Sequence, residues 1–156
     1  MTSDGQSLTG LMFDGETYFE ETMDTQGENL TAREAAKFPA FAETVRWLDT
    51  YFAGKEPNFL PPITLNTTPF RREVCEIMLM IPYGQTMSYG QIADIIAKRR
   101  GLERMSAQAV GGAVGHNPIS IIIPCHRVVG SDGSLTGYGG GIDKKRALLK
   151  LENALL

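Results

Sequence analysis

The sequence predicts an α+β protein of two modules, a small N-terminal α/β domain over residues 1–62 and a C-terminal winged helix-turn-helix over residues 63–156. Three observations predict it. Residues 56–63, Glu-Pro-Asn-Phe-Leu-Pro-Pro-Ile, carry three prolines, which forbid a helix and suit an extended connection. The charge balance reverses across this stretch: residues 1–64 hold 4 basic and 11 acidic residues, residues 65–156 hold 11 basic and 7 acidic. Beyond it, two capped helical patterns joined by a short basic connector precede strand-like runs, the order of a winged helix-turn-helix. An acidic half joined to a basic half fits a second module that approaches a polyanion, and by itself fits ordinary surface variation equally well.

Along the N-terminal half, residues 7–20 read as a hairpin turning at Asp14-Gly15. Residues 21–30 are polar and read as a loop. Residues 38–53 have helical spacing, with Phe41, Val45, Leu48 and Phe52 on one face and Gly54 as the stop. In the C-terminal half, Thr68 is an N-cap with Pro69 at the first helical position, and Phe70, Val74, Met78 and Ile81 form the apolar stripe. Cys75, beside Val74, reads as a core thiol. Ser88-Tyr89-Gly90-Gln91 fits a capping box. The helix it opens buries Ile92, Ile95 and Ile96 and ends at Lys98-Arg99-Arg100-Gly101.

Ser106 caps a third segment, Ala107–Gly115, of unusual composition for a helix. Its adjacent Gly111 and Gly112 each cost up to about 1 kcal/mol relative to alanine. Tight packing in its own core, a loop, or close approach to another surface would each account for them. Asn117-Pro118 breaks the segment, and Ile119–Ile123 reads as a buried strand. The chain then stays extended from His126 to Val129, turns at Gly130–Gly133, and passes a glycine loop at 139–141. A last helix beginning near Asp143 buries Leu148, Leu151 and Leu155.

At 156 residues, 42% hydrophobic and 21% charged, the chain is long and apolar enough for packed cores, which excludes a disordered class. No apolar run approaches the roughly 20 residues of a bilayer span. The first six residues lack the basic and apolar regions of a signal peptide, so the chain reads as soluble and cytosolic. Without an export signal, Cys75 and Cys125 are expected as free thiols. Two histidines, His116 and His126, and no Cys-x-x-Cys make a zinc site unexpected.

Cys125 is the candidate nucleophile. It follows an apolar run and a proline and is followed by His126 and Arg127. The thiolate is the nucleophilic form, and an imidazole beside it can take the proton. Neighbours on a regular strand point to opposite faces, so a Cys–His contact needs distorted backbone, which Pro124 favours. The dipeptide alone also fits a structural cysteine.

The longer stretch Ile122-Ile123-Pro124-Cys125-His126-Arg127-Val128 resembles the active-site signature of the O6-alkylguanine-DNA alkyltransferases. The resemblance runs almost continuously from 66 to 156. It includes Thr68-Pro69-Phe70, Ser88–Gln91, Ala109–Ala113, Asn117-Pro118 and Gly137-Tyr138 with the glycines after it. It implies a ribonuclease-H-like N-terminal domain, here lacking its first strand, and a C-terminal alkyltransferase domain. It also implies DNA repair in which an alkylated guanine is turned out of the duplex and its alkyl group passes once, irreversibly, to Cys125. Double-stranded DNA carrying the lesion is the implied partner, no cofactor or metal is implied, and a monomer is expected.

The resemblance further implies roles for individual residues. His126 takes the thiol proton through water and Glu152 orients His126. Asn117 organises the turn that holds the thiol, and Tyr89 serves the leaving base. Val128, Tyr138 and Gly139 line the base pocket, with Arg127 among the base-contacting residues. Gln108, Ala109 and Gly112 approach the DNA minor groove, whose degenerate pattern suits scanning any sequence. The family usually has an arginine where Gln108 stands, and Arg104, one turn earlier, is a substitute. The alternative reading is a protein that binds alkylated DNA without repairing it. Relatives of that kind lack the reactive cysteine.

Overall fold

The computed structural model describes residues 1–19 and 27–154. In the N-terminal module, β1 (Thr2–Ser3) pairs antiparallel with β2 (Leu8–Gly10). The hairpin therefore lies at 2–10, not at 7–20. Its turn is built by Asp4, whose carboxylate accepts from the amides of Gln6 and Ser7. Asp14-Gly15 does turn, with Gly15 at φ 72° and Glu16 N donating to Phe13 O. The chain beyond this turn does not return as a strand, because the segment docks on the other module: Leu11 bridges Ile119, and Thr17 N donates to Gly139 O. Of the loop expected at 21–30, residues 21–26 lie outside the described residues.

Helix α1 (Ala32–Ala35) carries a capping box from Thr31 and Glu34. Helix α2 (Pro39–Phe52) ends where expected, with Ala53 as cap and Gly54 left-handed at φ 73°. Its buried face differs from the expected stripe. Phe41, Thr44, Trp47 and Tyr51 are buried, whereas Val45 and Phe52 are 45% and 54% exposed. Spacing of three and four fits both faces. The aromatic rings of Trp47 and Tyr51 decide, stacking 5.3 Å apart against the second module.

In the C-terminal module Thr68 Oγ1 caps α3 (Pro69–Leu79), which buries Val74, Cys75, Ile77 and Met78. Ser88 and Gln91 cap α4 (Tyr89–Arg100) reciprocally, and Gly101 closes it at φ 64°. Ser106 caps α5 (Ala107–Gly115), which packs on both α3 and α4. A preceding strand β3 (Met87–Ser88) pairs in parallel with β4 (Val128–Val129), and α6 (Ile142–Leu151) lies C-terminal to both. Leu148 and Leu149 of α6 are buried, Leu151 is partly so, and Leu155 lies outside the described residues. No helix among the described residues is long and apolar enough to cross a membrane.

Residues 119–123 are buried as expected but do not form a strand. Asn117 is the reason. Its side-chain amide donates to the carbonyls of Ile119 (3.3 Å) and Ile123 (2.9 Å), and its oxygen accepts from Ile119 N (3.1 Å). Beyond the single bridge to Leu11, the backbone bonds close within the turn, Ile122 N donating to Ser120 O and Ile123 N to Ile119 O, and Ile121 sits at φ 72°. High β-propensity here reports burial rather than pairing.

Candidate active site

The Asn117 turn delivers Cys125 into a single 3₁₀ turn, Cys125–Arg127, instead of the extended run expected from His126. Successive side chains of a 3₁₀ turn diverge by about 120°, rather than pointing to the opposite faces that a strand would give them. Asn117 Nδ2 also donates to Cys125 Sγ at 3.1 Å. Cys125 is 4% exposed, and burial pushes its thiol up to about 11 despite the Asn117 contact. At rest the sulfur therefore holds its proton, and attack needs a base.

His126 is fully buried and burial lowers its pKa, although Glu152 opposes this. The ring is therefore neutral at neutral pH, and its 2.7 Å contact from Nε2 to Glu152 Oε1 is a hydrogen bond rather than an ion pair. With a carboxylate facing Nε2, the proton belongs there. Nδ1 is then a bare lone pair, buried and without a hydrogen-bond partner among the described residues. Buried acceptors are nearly always paired within the protein or with water, so this atom is open to a proton or to a water.

Glu152, the residue capping α6, gathers donors from four directions. These are His126, Arg127 (Nε to Oε2 2.8 Å, Nη2 to Oε1 3.1 Å), Gly84 N (3.2 Å) and Tyr51 Oη (2.7 Å). Burial alone would raise its pKa, but hydrogen bonds from His126, Arg127 and Tyr51 outweigh that and hold it at about 2. Arg127 thus faces inward, its guanidinium shared between Glu152 and the carbonyl of Ile81. Val128 is buried too. The carbonyl of this residue, which is expected to line a base pocket, accepts from Lys145 Nζ, which also reaches Thr136 O at 3.0 Å.

Beside this cluster opens a cleft of about 810 Å³ between α5 and the 131–139 loop. Tyr89, Gln108, Gly112, Tyr138 and Gly139 line it. Tyr89 Oη donates to the carbonyls of Thr136 (3.0 Å) and Gly137 (3.3 Å), and a Cβ on Gly111 would lie 3.8 Å from its ring. Cys125 is not on the cleft wall, but its thiolate form would add to the forces raising the pKa of Tyr89 and Tyr138, after burial. Gln108, Ala109 and Arg104 are exposed, the first two on the outer face of α5 and Arg104 before it.

Sequence reasoning missed three neighbours. Tyr51 comes from α2, far away in sequence. Lys145 is a lysine on a helix that reads as surface, and burial lowers it to about 8. Glu16 is buried, accepting from Ser120 Oγ at 2.8 Å and Phe13 N at 2.8 Å. No local pattern marks any of them. Tyr51 and Glu16 become visible only when the two modules pack, and Lys145 only when α6 folds back on Val128 and Thr136.

Fold and site together define a helix-turn-helix protein with a buried cysteine held by Asn117 and followed directly by a buried histidine–carboxylate pair. Comparison with known proteins gives the family. Residues 1–65 match the 6-O-methylguanine DNA methyltransferase ribonuclease-like domain and residues 69–154 the DNA-binding domain of the same family. The chain belongs to the 6-O-methylguanine DNA methyltransferase family. It is 52% identical over 115 residues to the methylated-DNA–protein-cysteine methyltransferase of Mycobacterium tuberculosis, covering 74% of this chain and 67% of that protein. It is 43% identical to the Mycobacterium leprae protein of the same name, over 95% of this chain and 81% of that one. Among solved structures, Mycobacterium tuberculosis OGT in complex with DNA superposes with a TM-score of 0.79 at 42% identity, over 98% of this chain and 84% of that one.

Proposed function

We propose that this protein repairs DNA by taking the alkyl group of O6-alkylguanine onto Cys125, once per molecule. The observation that carries the reading is a buried, protonated thiol followed within one 3₁₀ turn by a neutral imidazole whose Nδ1 has no protein hydrogen-bond partner among the described residues. The thiol proton passes to Nδ1, directly or through water, and Glu152 stabilises the imidazolium that forms. The thiolate attacks the alkyl carbon. A carbon–sulfur bond forms as the carbon–O6 bond breaks, and the electron pair leaves on guanine. Tyr89, at the cleft wall, supplies a proton to the departing base and is reprotonated from water, while the His126 imidazolium returns its proton to water, so that the net change is exchange of the thiol hydrogen for the alkyl group. The thioether is inert, so the alkyl group stays on sulfur.

A base inside the stack cannot reach this sulfur, so the lesion is turned out into the cleft, between Tyr89 and Tyr138. The exposed α5 face with Gln108, Ala109 and Gly112 then meets the minor groove, and Arg104 meets phosphate. Arg127 acts through Glu152 rather than on the base. The modules divide at residues 62–63, and the protein works as a cytoplasmic monomer.

With excess duplex carrying O6-methylguanine, methyl transfer is expected to stop at one group per protein molecule. Continued turnover contradicts the reading, as does binding with no transfer, which is the behaviour of an alkylated-DNA binding protein. Gln108 is shorter and uncharged beside arginine. Gln108→Arg is accordingly expected to bind DNA more tightly and transfer faster, as single-turnover kinetics would read. Equal or lower rates would remove the role given to this position.

A further inference from the structure

Tyr51 is the one side chain of the N-terminal helices α1 and α2 seen to hydrogen-bond directly to the His126–Glu152 pair. It is fully buried in the last turn of α2. Its hydroxyl stands 2.7 Å from Glu152 Oε1 and 3.3 Å from His126 Nε2. Trp47 stacks on its ring at 5.3 Å, and Tyr83 meets it edge-on at 6.1 Å. A ring held on these sides, with its hydroxyl on a carboxylate, has one orientation available to it.

We propose that Tyr51 is a positioning residue of the alkyl-transfer site, through which the N-terminal module holds Glu152 and His126 in their reactive arrangement. The inference rests on the alkyl-transfer function proposed for Cys125. Burial, then the Glu152 contact, keeps the phenol protonated at any working pH, so it donates to Glu152 and offers only lone pairs to His126. Nε2–H consequently meets two acceptors, Oε1 and Oη, which fixes the ring plane and points Nδ1 away from Glu152. The donated bond also spreads the charge of Oε1, which otherwise falls on the imidazole. The charged groups acting on His126 are Glu152, Arg127 and Lys145. Of these only Glu152 raises its proton affinity, and Tyr51 is placed to blunt it. A ring protonated in advance cannot accept the thiol proton, so this restraint favours transfer.

The test is Tyr51→Phe in the full chain, which keeps the ring and removes only the hydroxyl. Alkyl transfer is expected to slow on the order of tenfold, the usual effect of losing a group that orients a reactive one. Affinity for duplex DNA should be unchanged. The acid limb of the rate profile should move to higher pH, and the Nε2–H resonance of His126 should shift in the NMR spectrum. Trp47→Phe trims the packing and leaves the hydroxyl, and should keep the wild-type rate and resonance. Wild-type transfer by Tyr51→Phe with an unmoved His126 signal would overturn the proposal, and so would an equal loss in Trp47→Phe. A wild-type protein that takes no alkyl group would instead overturn the functional reading, and the His126 resonance would still report whether Tyr51 holds the pair.

Discussion

Glu152→Ala is expected to lower stability by about 3–5 kcal/mol and to remove alkyl transfer, the two losses arising from one buried carboxylate. Truncating one member of a buried ion pair costs this much because the partner charge stays behind unpaired. Here the stranded partner is Arg127, whose guanidinium retains the Ile81 carbonyl and the face of Tyr83 but no counter-charge from Glu152. His126 Nε2, Gly84 N and Tyr51 Oη lose their acceptor at the same time. Chemical denaturation of the variant reads the first loss and single-turnover transfer the second. The same carboxylate sets an acid limit on the wild type. Its folded pKa of about 2 lies below the ordinary glutamate value of 4.5. A depressed carboxylate contributes stability that is complete above the unfolded pKa and is lost as pH falls through the folded one. Wild-type stability should therefore decline between about pH 4.5 and pH 2. Glu152→Gln, which cannot titrate, should lack that part of the decline. A wild type and a Gln variant with parallel acid profiles would show that Glu152 is not held ionised as described.

Cys125→Ser is expected to abolish transfer while the fold persists. Removing a nucleophile from a coupled relay costs on the order of 10⁶-fold. A hydroxyl at this position is harder to ionise than a thiol already raised to about 11 by burial. The change removes little volume, and Asn117 Nδ2 can donate to oxygen as it does to sulfur. Thermal unfolding near the wild-type temperature, with no label appearing on the protein, is the expected pair of results. Residual transfer within tenfold of wild type would remove Cys125 from the mechanism.

Much of the C-terminal module was legible because its signals are local. Thr68, Ser88 and Ser106 each cap the helix they precede, and Gly101 and Gly54 take the left-handed conformations that end theirs. Caps act within a single turn of chain, so four residues suffice to read them. The failures have a common cause. Asp14-Gly15 turns as its residues suggest, but the segment after it is captured by Gly139 and Ser120 instead of returning as a strand. Ile119–Ile123 reads as a strand until Asn117 takes up its carbonyls. In α2 the spacing permits two faces, and only the surface receiving Trp47 and Tyr51 chooses between them. The site divides in the same way. Cys125, His126 and Asn117 sit in one short stretch whose resemblance is specific. Tyr51, Glu16 and Lys145 reach the cluster from remote or surface-like positions. The inward turn of Arg127 depends on Glu152, 25 residues away in sequence. Long-range pairing of polar groups leaves no periodic trace in a chain.

Peptide mass mapping of the full-length protein, after incubation with duplex DNA carrying a single O6-methylguanine, addresses the central claim most directly. One methyl group should appear on the peptide containing Cys125. None should appear on the peptide containing Cys75, whose thiol burial pushes up to about 12 in the α3 core. Label on Cys75, or lesion loss with no label on either cysteine, would contradict the account.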